Sequence, residues 1–363
     1  MNRDDLSGHF EWFADWCVGT SPLYERLARG VAADPDLLDL ASAPPDDRSP
    51  AHLLFAAVQF LLLSGNESSL ADFYPTVTDH PTDPAERDPV PAFREFCLSN
   101  ADAIRNLTTT RRTQTNSVRR CAALLPAFEE VSRHASRGCA RDAREPLALV
   151  EVGPSAGLNL LWDRYGYDYG PGGRYGTLDS PVRVESTVHE GDPPLPENAP
   201  PVASRVGVDL NPLDVTDDAD ARWLRSLVWP EHDDRHRTLR SAIRVAREHP
   251  PDLREGDALD LLPTVLAEIP DDRPVCLFDT QVRYQLDEAA RDRFDALVAE
   301  LGADRDLYVV SGDLTASEYE QAIDLTLTTV EGDSKSEDRE RAELQTERLG
   351  VYQQHGAWIT WDE

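Results

Sequence analysis

The chain has 363 residues, with 67 Asp or Glu against 36 Lys or Arg, which gives a formal net charge of -31 at pH 7. A chain of this length can bury a sizeable core and can form two domains. Its acidic balance excludes the basic surface that most nucleic-acid-binding proteins present to phosphates, so a small molecule is the expected partner.

Helical patterns fill the first 140 residues. Apolar residues recur there at helical spacing in these segments: Phe10 to Val18, Pro22 to Ala33, Pro50 to Leu63, Ala92 to Asn106 and Ser117 to Arg137. Ser21 and Ser49 each precede a proline, which is the order of an N-cap and a first helical turn. The longest apolar run, Leu53 to Leu63, is shorter than the ~20 residues that span a bilayer. We therefore predict an all-helical domain over residues 1–140, a buried helix at this run and no contact with a membrane.

From residue 145 onward, apolar runs of strand length alternate with helical patterns. The predicted strands are Leu147 to Val152, Arg205 to Asp209, a weaker one near Leu253, Val275 to Asp279, Leu307 to Ser311, Ile323 to Val330 and Trp358 to Trp361. The predicted helices are Asp220 to Leu227, Asp234 to Glu248, Leu259 to Ala267 and Asp287 to Leu301. This alternation predicts an α/β domain over 145–363, a doubly wound and mostly parallel Rossmann-like sheet. Residues 164–201 are rich in Tyr, Gly and Pro, so we predict an insertion over the site, with Val182 to Val188 as a hairpin strand.

A glycine-containing turn follows the first predicted strand. Gly153 and Gly157 permit a tight turn, and Leu158 to Tyr165 is predicted to open a helix. Because glycine lacks a Cβ atom, a ligand can approach the backbone there. The spacing fits neither a P-loop, which needs a Lys after its last glycine, nor a dinucleotide fingerprint, because Ser155 stands at its second glycine. The alternative is a plain strand-to-helix turn without a ligand.

Polar residues also follow later predicted strands. Asp209 and Asn211 end one strand, and in doubly wound sheets an acid at that edge can accept both hydroxyls of a ribose. Asp257 and Ala258 precede a predicted helix. Asp209 capping its own turn and Asp257 capping its helix are the alternative interpretations.

The buried strand Val275 to Asp279 directs three further residues toward the same edge. Asp279, Gln281 and Tyr284 are the predicted catalytic residues, because an acid and an amide at a strand end can orient a reacting group. The alternative is that Asp279 caps the next helix.

Two clusters carry weaker signals. His232 and His236 have the i, i+4 spacing of zinc-binding helices, but Asp233 replaces the usual Glu and no third ligand has a telling spacing, so no metal site is predicted. The arginines at 111, 112, 119 and 120 form a basic group that could bind an anion, although in so acidic a chain pairing with carboxylates is the expected role.

The glycine loop resembles the first motif of class I S-adenosylmethionine-dependent methyltransferases, Glu-x-Gly-x-Gly-x-Gly. Glu151, Gly153 and Gly157 match this motif, and Ser155 stands at its middle glycine. The resemblance implies a methyltransferase-type sheet and S-adenosylmethionine as the cofactor. It implies these cofactor-binding residues: Glu151, Gly153, Ser155, Gly157 and Asn159 in the loop, Asp209 and Asn211 at the ribose, and Asp257 and Ala258 near the adenine.

A wider set of motifs is similar to the DUF2332 family. The motifs are Gln114-Thr115-Asn116, Ala122 to Pro126, Glu151 to Gly153, Ser155 to Leu160, Trp162 to Tyr165, Asp179 to Val182, Asp209 to Pro212, Leu224 to Pro230 and His355-Gly356. They cover most of the chain. Membership implies a sheet like that of methyltransferases without naming a reaction.

These observations give three hypotheses of function. The first is an S-adenosylmethionine-binding, methyltransferase-like protein that acts on a small-molecule acceptor, with Asp279, Gln281 or Tyr284 orienting the acceptor. The second is a non-catalytic ligand-binding protein on a degenerate methyltransferase fold, which Ser155 favours. The third is a metal-dependent hydrolase centred on the histidine pair. The acceptor and the oligomeric state stay open.

The composition also predicts a halophilic protein of the cytoplasm. The five cysteines are odd in number and scattered without a Cys-x-x-Cys pair, which is typical of reduced thiols, and residues 1–5 are acidic, unlike a signal peptide. Lys335 is the only lysine among the 36 basic residues. A haloarchaeal cytoplasm is the expected setting.

The salt dependence of folding tests this expectation. In molar salt the Debye length falls to about 3 Å, so the surface carboxylates repel one another little. We expect the protein to lose its fold on dialysis to low salt, measured by circular dichroism during melting in low and in molar KCl. A melting temperature that is equal in the two buffers would contradict adaptation to salt.

Overall fold

The computed structural model describes residues 3–114, 116–136, 144–314, 321–331 and 343–362. The α-helices are α1 (Arg3–Cys17), α2 (Pro22–Ala33), α3 (Pro35–Ala41), α4 (Pro50–Leu63), α5 (Val90–Ser99), α6 (Ala101–Thr110), α7 (Cys121–Ala135), α8 (Asp218–Ser226), α9 (Asp233–Glu248), α10 (Ala258–Ala267) and α11 (Glu288–Leu301). The strands are β1 (Leu147–Val152), β2 (Gly166–Asp168), β3 (Arg174–Gly176), β4 (Arg183–Glu185), β5 (Thr187–Glu190), β6 (Val202–Asp209), β7 (Asp252–Glu255), β8 (Val275–Thr280), β9 (Leu307–Leu314), β10 (Ala322–Glu331), β11 (Glu343–Gln353) and β12 (Trp358–Thr360).

Nine of these strands form one sheet in the order β5-β12-β11-β10-β9-β8-β1-β6-β7. Strands β7, β6, β1, β8 and β9 run parallel, and β10 and β11 follow in antiparallel pairing. The prediction of a mostly parallel α/β sheet is confirmed. The chain starts the sheet at β1, builds outward through β6 and β7, and returns to the other side of β1 with β8. The order therefore reverses between β1 and β8, which is where doubly wound sheets bind ligands.

Both faces of the parallel strands are covered by helices. Val150 and Leu277 pack with residues of α10 and α11 on one face, which we call the α10 face. On the opposite face, the ring of Phe278 lies 5.1 Å from that of Phe128 in α7, and we call it the α7 face. Every residue of β1 and β8 is buried, as expected for central strands that are apolar on both faces. The two faces decide which strand-end side chains can meet.

The predicted helix at Leu158 to Tyr165 is wrong. Asn159–Arg164 forms a 3-10 segment instead, and its residue Leu161 has non-helical angles of φ -101 and ψ 15. The Leu158 carbonyl accepts from the Leu161 N–H, three residues further on, and from the Tyr165 hydroxyl at 2.7 Å, whereas an α-helix would use the N–H four residues further on. No regular helix therefore opens at the glycine loop.

The tyrosine-rich insertion belongs to the core of its unit. Tyr167 and Tyr169 are buried, and their hydroxyls donate to the carbonyls of Trp162 and Ala122 at 2.6 and 2.7 Å. The predicted hairpin strand at Val182 to Val188 is wrong, because the chain there forms two strands in different sheets. Strand β4 joins β2 and β3 in a small sheet, whereas β5 pairs with β12 at the edge of the large one.

Contacts within the chain group its residues into two compact units. The helical unit comprises Met1–Thr115 with Thr216–Arg240, and the sheet unit comprises Asn116–Val215 with Ser241–Glu363. Helix α7 thus belongs to the sheet unit, and residues 216–240 belong to the helical unit. These borders differ from the predicted ranges 1–140 and 145–363, whose independent folding stays a prediction.

Within the helical unit, α4 is the predicted buried helix. Its Gln59 is fully buried and donates to the carbonyls of Ser226 and Val228 at 2.9 and 2.7 Å, which ties residues 216–240 to this helix. The predicted helix at Ala92 to Asn106 is divided at Asn100 into α5 and α6. No helix in the described part of the chain has the length and apolarity needed to cross a membrane.

Candidate functional site

The glycine loop takes three left-handed residues in alternation. Gly153, Ser155 and Gly157 have φ angles of 67, 54 and 69. A serine rarely adopts this conformation, and here the Ser155 N–H donates a hydrogen bond of 2.8 Å to Oδ2 of Asp209 at the end of β6. The Asp209 carboxylate therefore holds the loop in its strained form.

The other oxygen of Asp209 caps its own turn. Its Oδ1 accepts from the N–H of Asn211 at 2.8 Å, so the capping interpretation of Asp209 is confirmed. An ionised carboxylate offers about four lone-pair positions, and these two amides use two of them. Asp209 thus keeps acceptor capacity for a ligand while it joins the ends of β1 and β6.

Both motif glycines are also required by the packing of the protein itself. A Cβ atom on Gly153 would lie 2.6 Å from a methyl group of Val282, and one on Gly157 would lie 2.7 Å from the ring of Pro251. Their positive φ angles add to this requirement. The interpretation as a plain turn accounts for both glycines without a ligand.

Glu151 is a buried acid at the end of β1 on the α7 face. Its side chain is 1% exposed, and Oε1 accepts a hydrogen bond of 3.5 Å from Asn159, whose own Oδ1 accepts from the thiol of Cys121. Oε2 has no hydrogen-bond partner among the described residues. Burial raises the pKa of Glu151 to about 8, so the carboxyl is mostly neutral at pH 7.

Arg120 belongs to the basic group, but the sequence does not single it out as a site residue. It is 5% exposed, and its Nε donates to the Gln354 carbonyl at 3.0 Å while Nη1 donates to Thr280 at 3.3 Å. Arg111 forms the expected ion pair with Asp220, whereas no carboxylate of the described chain lies within 4.0 Å of Arg120. The prediction of carboxylate pairing is thus wrong for Arg120. This residue directly precedes α7, whose first residues are apolar and buried, and it is buried together with them.

The three predicted catalytic residues lie in different surroundings. Asp279 is 2% exposed, accepts a hydrogen bond of 2.7 Å from Ser311, and pairs in register with Val152 on the α10 face. Gln281 has a positive φ of 64 and donates to the same Gln354 carbonyl that Arg120 uses, at 2.7 Å. Tyr284 is 44% exposed. The structure therefore brings Gln281 to Arg120 rather than to Asp279.

Asp279 is a buried acid rather than the cap of α11. Burial raises its pKa to about 6, and its Oδ1 has no hydrogen-bond partner within the described chain. The next helix, α11, is capped instead by Asp287, which accepts from the Ala290 N–H at 2.8 Å. The alternative that Asp279 caps that helix is wrong.

Asp257 is the N-cap of α10, as its alternative interpretation predicts. Its Oδ1 accepts from the Leu259 N–H at 2.9 Å, and Ala258 is the first helical residue. The preceding Gly256 N–H donates to the Asp209 carbonyl at 2.9 Å, which joins the ends of β6 and β7. The adenine-binding role of Asp257 and Ala258 stays a prediction.

The histidine pair has structural partners. Nε2 of His236 lies 3.0 Å from the Trp229 carbonyl, and burial lowers the pKa of this imidazole to about 4. His232 lies 3.2 Å from the guanidinium of Arg235. No group of three or more His, Cys, Asp or Glu within the described ranges has the arrangement of a metal site.

Comparison with known proteins gives one family. The family described as "Uncharacterized protein conserved in bacteria (DUF2332)" matches residues 7–361. A comparison with curated proteins gives no match. Since the family match covers nearly the whole length of the sequence, the chain belongs to the DUF2332 family.

Proposed function

We propose that the carboxyl edge of the parallel strands binds S-adenosylmethionine or its demethylated product. One observation carries this proposal: the glycine loop, Asp209 and Asp257 follow three strands, β1, β6 and β7, that are neighbours in the sheet. A cofactor lying across these ends would meet the loop with its methionine part, Asp209 with its ribose and Asp257 with its adenine. The reversal of strand order beside β1 is the expected position for such a ligand.

Polar groups at this edge support a polar ligand. The Oγ of Ser155 and Oε2 of Glu151 are buried, and neither has a hydrogen-bond partner in the part of the chain that is described. Buried polar groups in native proteins are nearly always satisfied, so unsatisfied ones call for water or a ligand. Asp209 keeps about two lone-pair positions, which matches the two hydroxyls of a ribose.

A non-catalytic binding protein is the second candidate. Val282 and Pro251 fill the space beside the two glycines, and no regular helix follows the loop. The proposed catalytic residues Asp279, Gln281 and Tyr284 do not contact one another through any described hydrogen bond. These departures favour a fold that keeps ligand binding and lacks methyl transfer.

Titration calorimetry in molar KCl tests the ligand. We expect S-adenosylmethionine and S-adenosylhomocysteine to bind with micromolar affinity, and Asp209→Ala to weaken binding at least about tenfold because it removes the ribose acceptor. If neither ligand gives heat of binding, the proposal is rejected. Turnover with a panel of small-molecule methyl acceptors then separates an enzyme from a binding protein.

A matched pair of variants separates ligand contact from loss of stability. Asp257→Ala and Asp287→Ala each remove an N-cap of an α-helix in the sheet unit, at a cost of about 1 kcal/mol. Only Asp257 lies at the proposed adenine position. We therefore expect similar losses of melting temperature but weaker cofactor binding in Asp257→Ala alone, and equal affinities in the two variants would remove Asp257 from the site.

A further inference from the structure

We propose that Arg120 binds a carboxylate or phosphate group of the small-molecule ligand. The inference deepens the proposed function and rests on it for the edge of the sheet where the ligand binds. The first observation is burial of a positive charge without a counter-charge. Arg120 is 5% exposed, and no carboxylate of the described residues forms an ion pair with it.

The hydrogen bonds of Arg120 leave part of the guanidinium unused. Of its five N–H donors, Nε–H serves the Gln354 carbonyl and Nη1 serves the carbonyl and hydroxyl of Thr280. Nη2 donates to no described residue. A buried guanidinium is costly unless it is paired, and neutral carbonyl oxygens compensate its charge only in part. A bound oxyanion would supply the missing charge and accept from the remaining donors.

Three titratable groups near Arg120 carry little or no negative charge at pH 7. Glu151 on the same face is mostly neutral at pH 7, because burial raises the pKa of its carboxyl to about 8. Burial likewise raises the pKa of the Tyr352 hydroxyl and of the Cys121 thiol, so both stay neutral. These three neighbours therefore do little to compensate the guanidinium charge, and the start of helix α7 at Cys121 adds positive potential.

The guanidinium is held in a fixed position. The Gln354 carbonyl accepts from both Arg120 and Gln281, and the Ser117 hydroxyl donates to the next carbonyl, that of His355. A rigidly placed donor binds an anion without first losing conformational freedom, as preorganised sites do. Asn116, at the start of the same segment, has both amide atoms buried and without a partner among the described residues. These atoms are further buried polar groups of the segment that leads into α7.

Arg305 provides a matched control. It is a half-buried arginine of the same unit, and its guanidinium also donates to carbonyl oxygens only, those of Leu266, Ile269 and Pro270. It lies at the opposite end of the strands, before β9 begins. Arg305→Met thus loses comparable hydrogen bonds without touching the proposed anion site.

Thermal melting with added anions tests the inference. Potassium acetate and potassium phosphate are titrated separately in molar KCl at constant potassium concentration. At an anion concentration of about ten times the dissociation constant, we expect the melting temperature of the wild-type protein and of Arg305→Met to rise saturably by a few degrees. The melting temperature of Arg120→Met should not rise. Arg120→Lys, which keeps the charge, should keep a weaker response and serves if Arg120→Met does not fold. The inference would be overturned if the wild-type protein shows no saturable rise of melting temperature. It would also be overturned if the Arg120 variants show the same rise as the wild-type protein.

A second comparison identifies the source of the anion. Methylthioadenosine is S-adenosylmethionine without its amino-acid part, so it lacks the carboxylate. If Arg120→Met weakens S-adenosylhomocysteine about tenfold but leaves methylthioadenosine unchanged, the carboxylate belongs to the cofactor. If it weakens neither while abolishing the anion response, the group belongs to the acceptor. If the protein responds to anions but binds no cofactor, the Arg120 site stands and S-adenosylmethionine is rejected as the ligand. If the protein binds the cofactor and Arg120→Met changes the binding of no ligand, S-adenosylmethionine stands and the Arg120 site is rejected.

Discussion

Glu151→Gln is expected to be more stable than the wild-type protein at alkaline pH, by a margin that grows from acid to neutral pH and is complete above pH 8. In the folded state burial raises the pKa of this carboxyl from 4.5 to about 8. Between these values the folded protein keeps a proton that the unfolded chain has released, so the stability of the wild-type protein falls with rising pH. Above pH 8 the full penalty, several kcal/mol, is present. Glutamine does not titrate, and its carbonyl oxygen can still accept from Asn159.

Chemical unfolding at constant KCl, from about pH 5 to about pH 9, measures this difference. The advantage of Glu151→Gln should be small at the acid end and level off above pH 8. Asp287→Asn serves as the control, because it replaces an exposed acid and asparagine can still cap α11. A stability difference for Glu151→Gln that is flat with pH would mean that the carboxyl is not held in its neutral form.

Gly356→Ala is expected to lower the stability of the protein by several kcal/mol and to abolish the anion response of Arg120. Gly356 has a φ of 78, which costs an alanine about 1–2 kcal/mol. Its Cβ would also collide with the carbonyl oxygen of Arg119 and lie 2.9 Å from the backbone nitrogen of Arg120. Because these are backbone atoms, no change of rotamer relieves the collision, and the turn that carries Gln354 must move away.

Gly170→Ala separates the collision from the backbone strain. Gly170 has a φ of 60 and is exposed, and no atom lies within 4 Å of the position of its Cβ. This variant should lose only the cost of the left-handed conformation and should keep the anion response. Equal losses of melting temperature in the two variants would show that Gly356 matters for its φ angle alone.

Local sequence patterns predict the centre of the sheet because its strands are apolar on both faces. Leu147–Val152 has the predicted bounds, and Val275–Thr280 differs by one residue. Strand β11 was not predicted, since most of its first half, Glu343 onward, is polar and exposed. What makes it a strand is its pairing with β10, a partner that no local pattern reveals.

The residues of the candidate site also divide into those that a local pattern reveals and those that depend on a distant part of the chain. The glycine loop, Asp209 and Asp257 can be read from the sequence because each follows its own strand. Arg120 cannot, because its partner carbonyl belongs to Gln354, 234 residues further along the chain. The 3-10 turn at Asn159–Arg164 escapes prediction for a related reason, since the Leu158 carbonyl is also bonded by the Tyr165 side chain, a contact that helical periodicity does not reveal.

The composition of the helical unit sets the order in which the protein can fold during synthesis. Gln59 of α4 bonds to Ser226 and Val228, and the carboxylate of Glu231 accepts from the Ser21 hydroxyl and the Leu23 N–H at the start of α2. The ribosome must therefore release residues 216–240 before the N-terminal helices gain these bonds. By that time β1 and β6 have already emerged, so the helical unit, although its synthesis starts first, can be completed only after part of the sheet unit has been made.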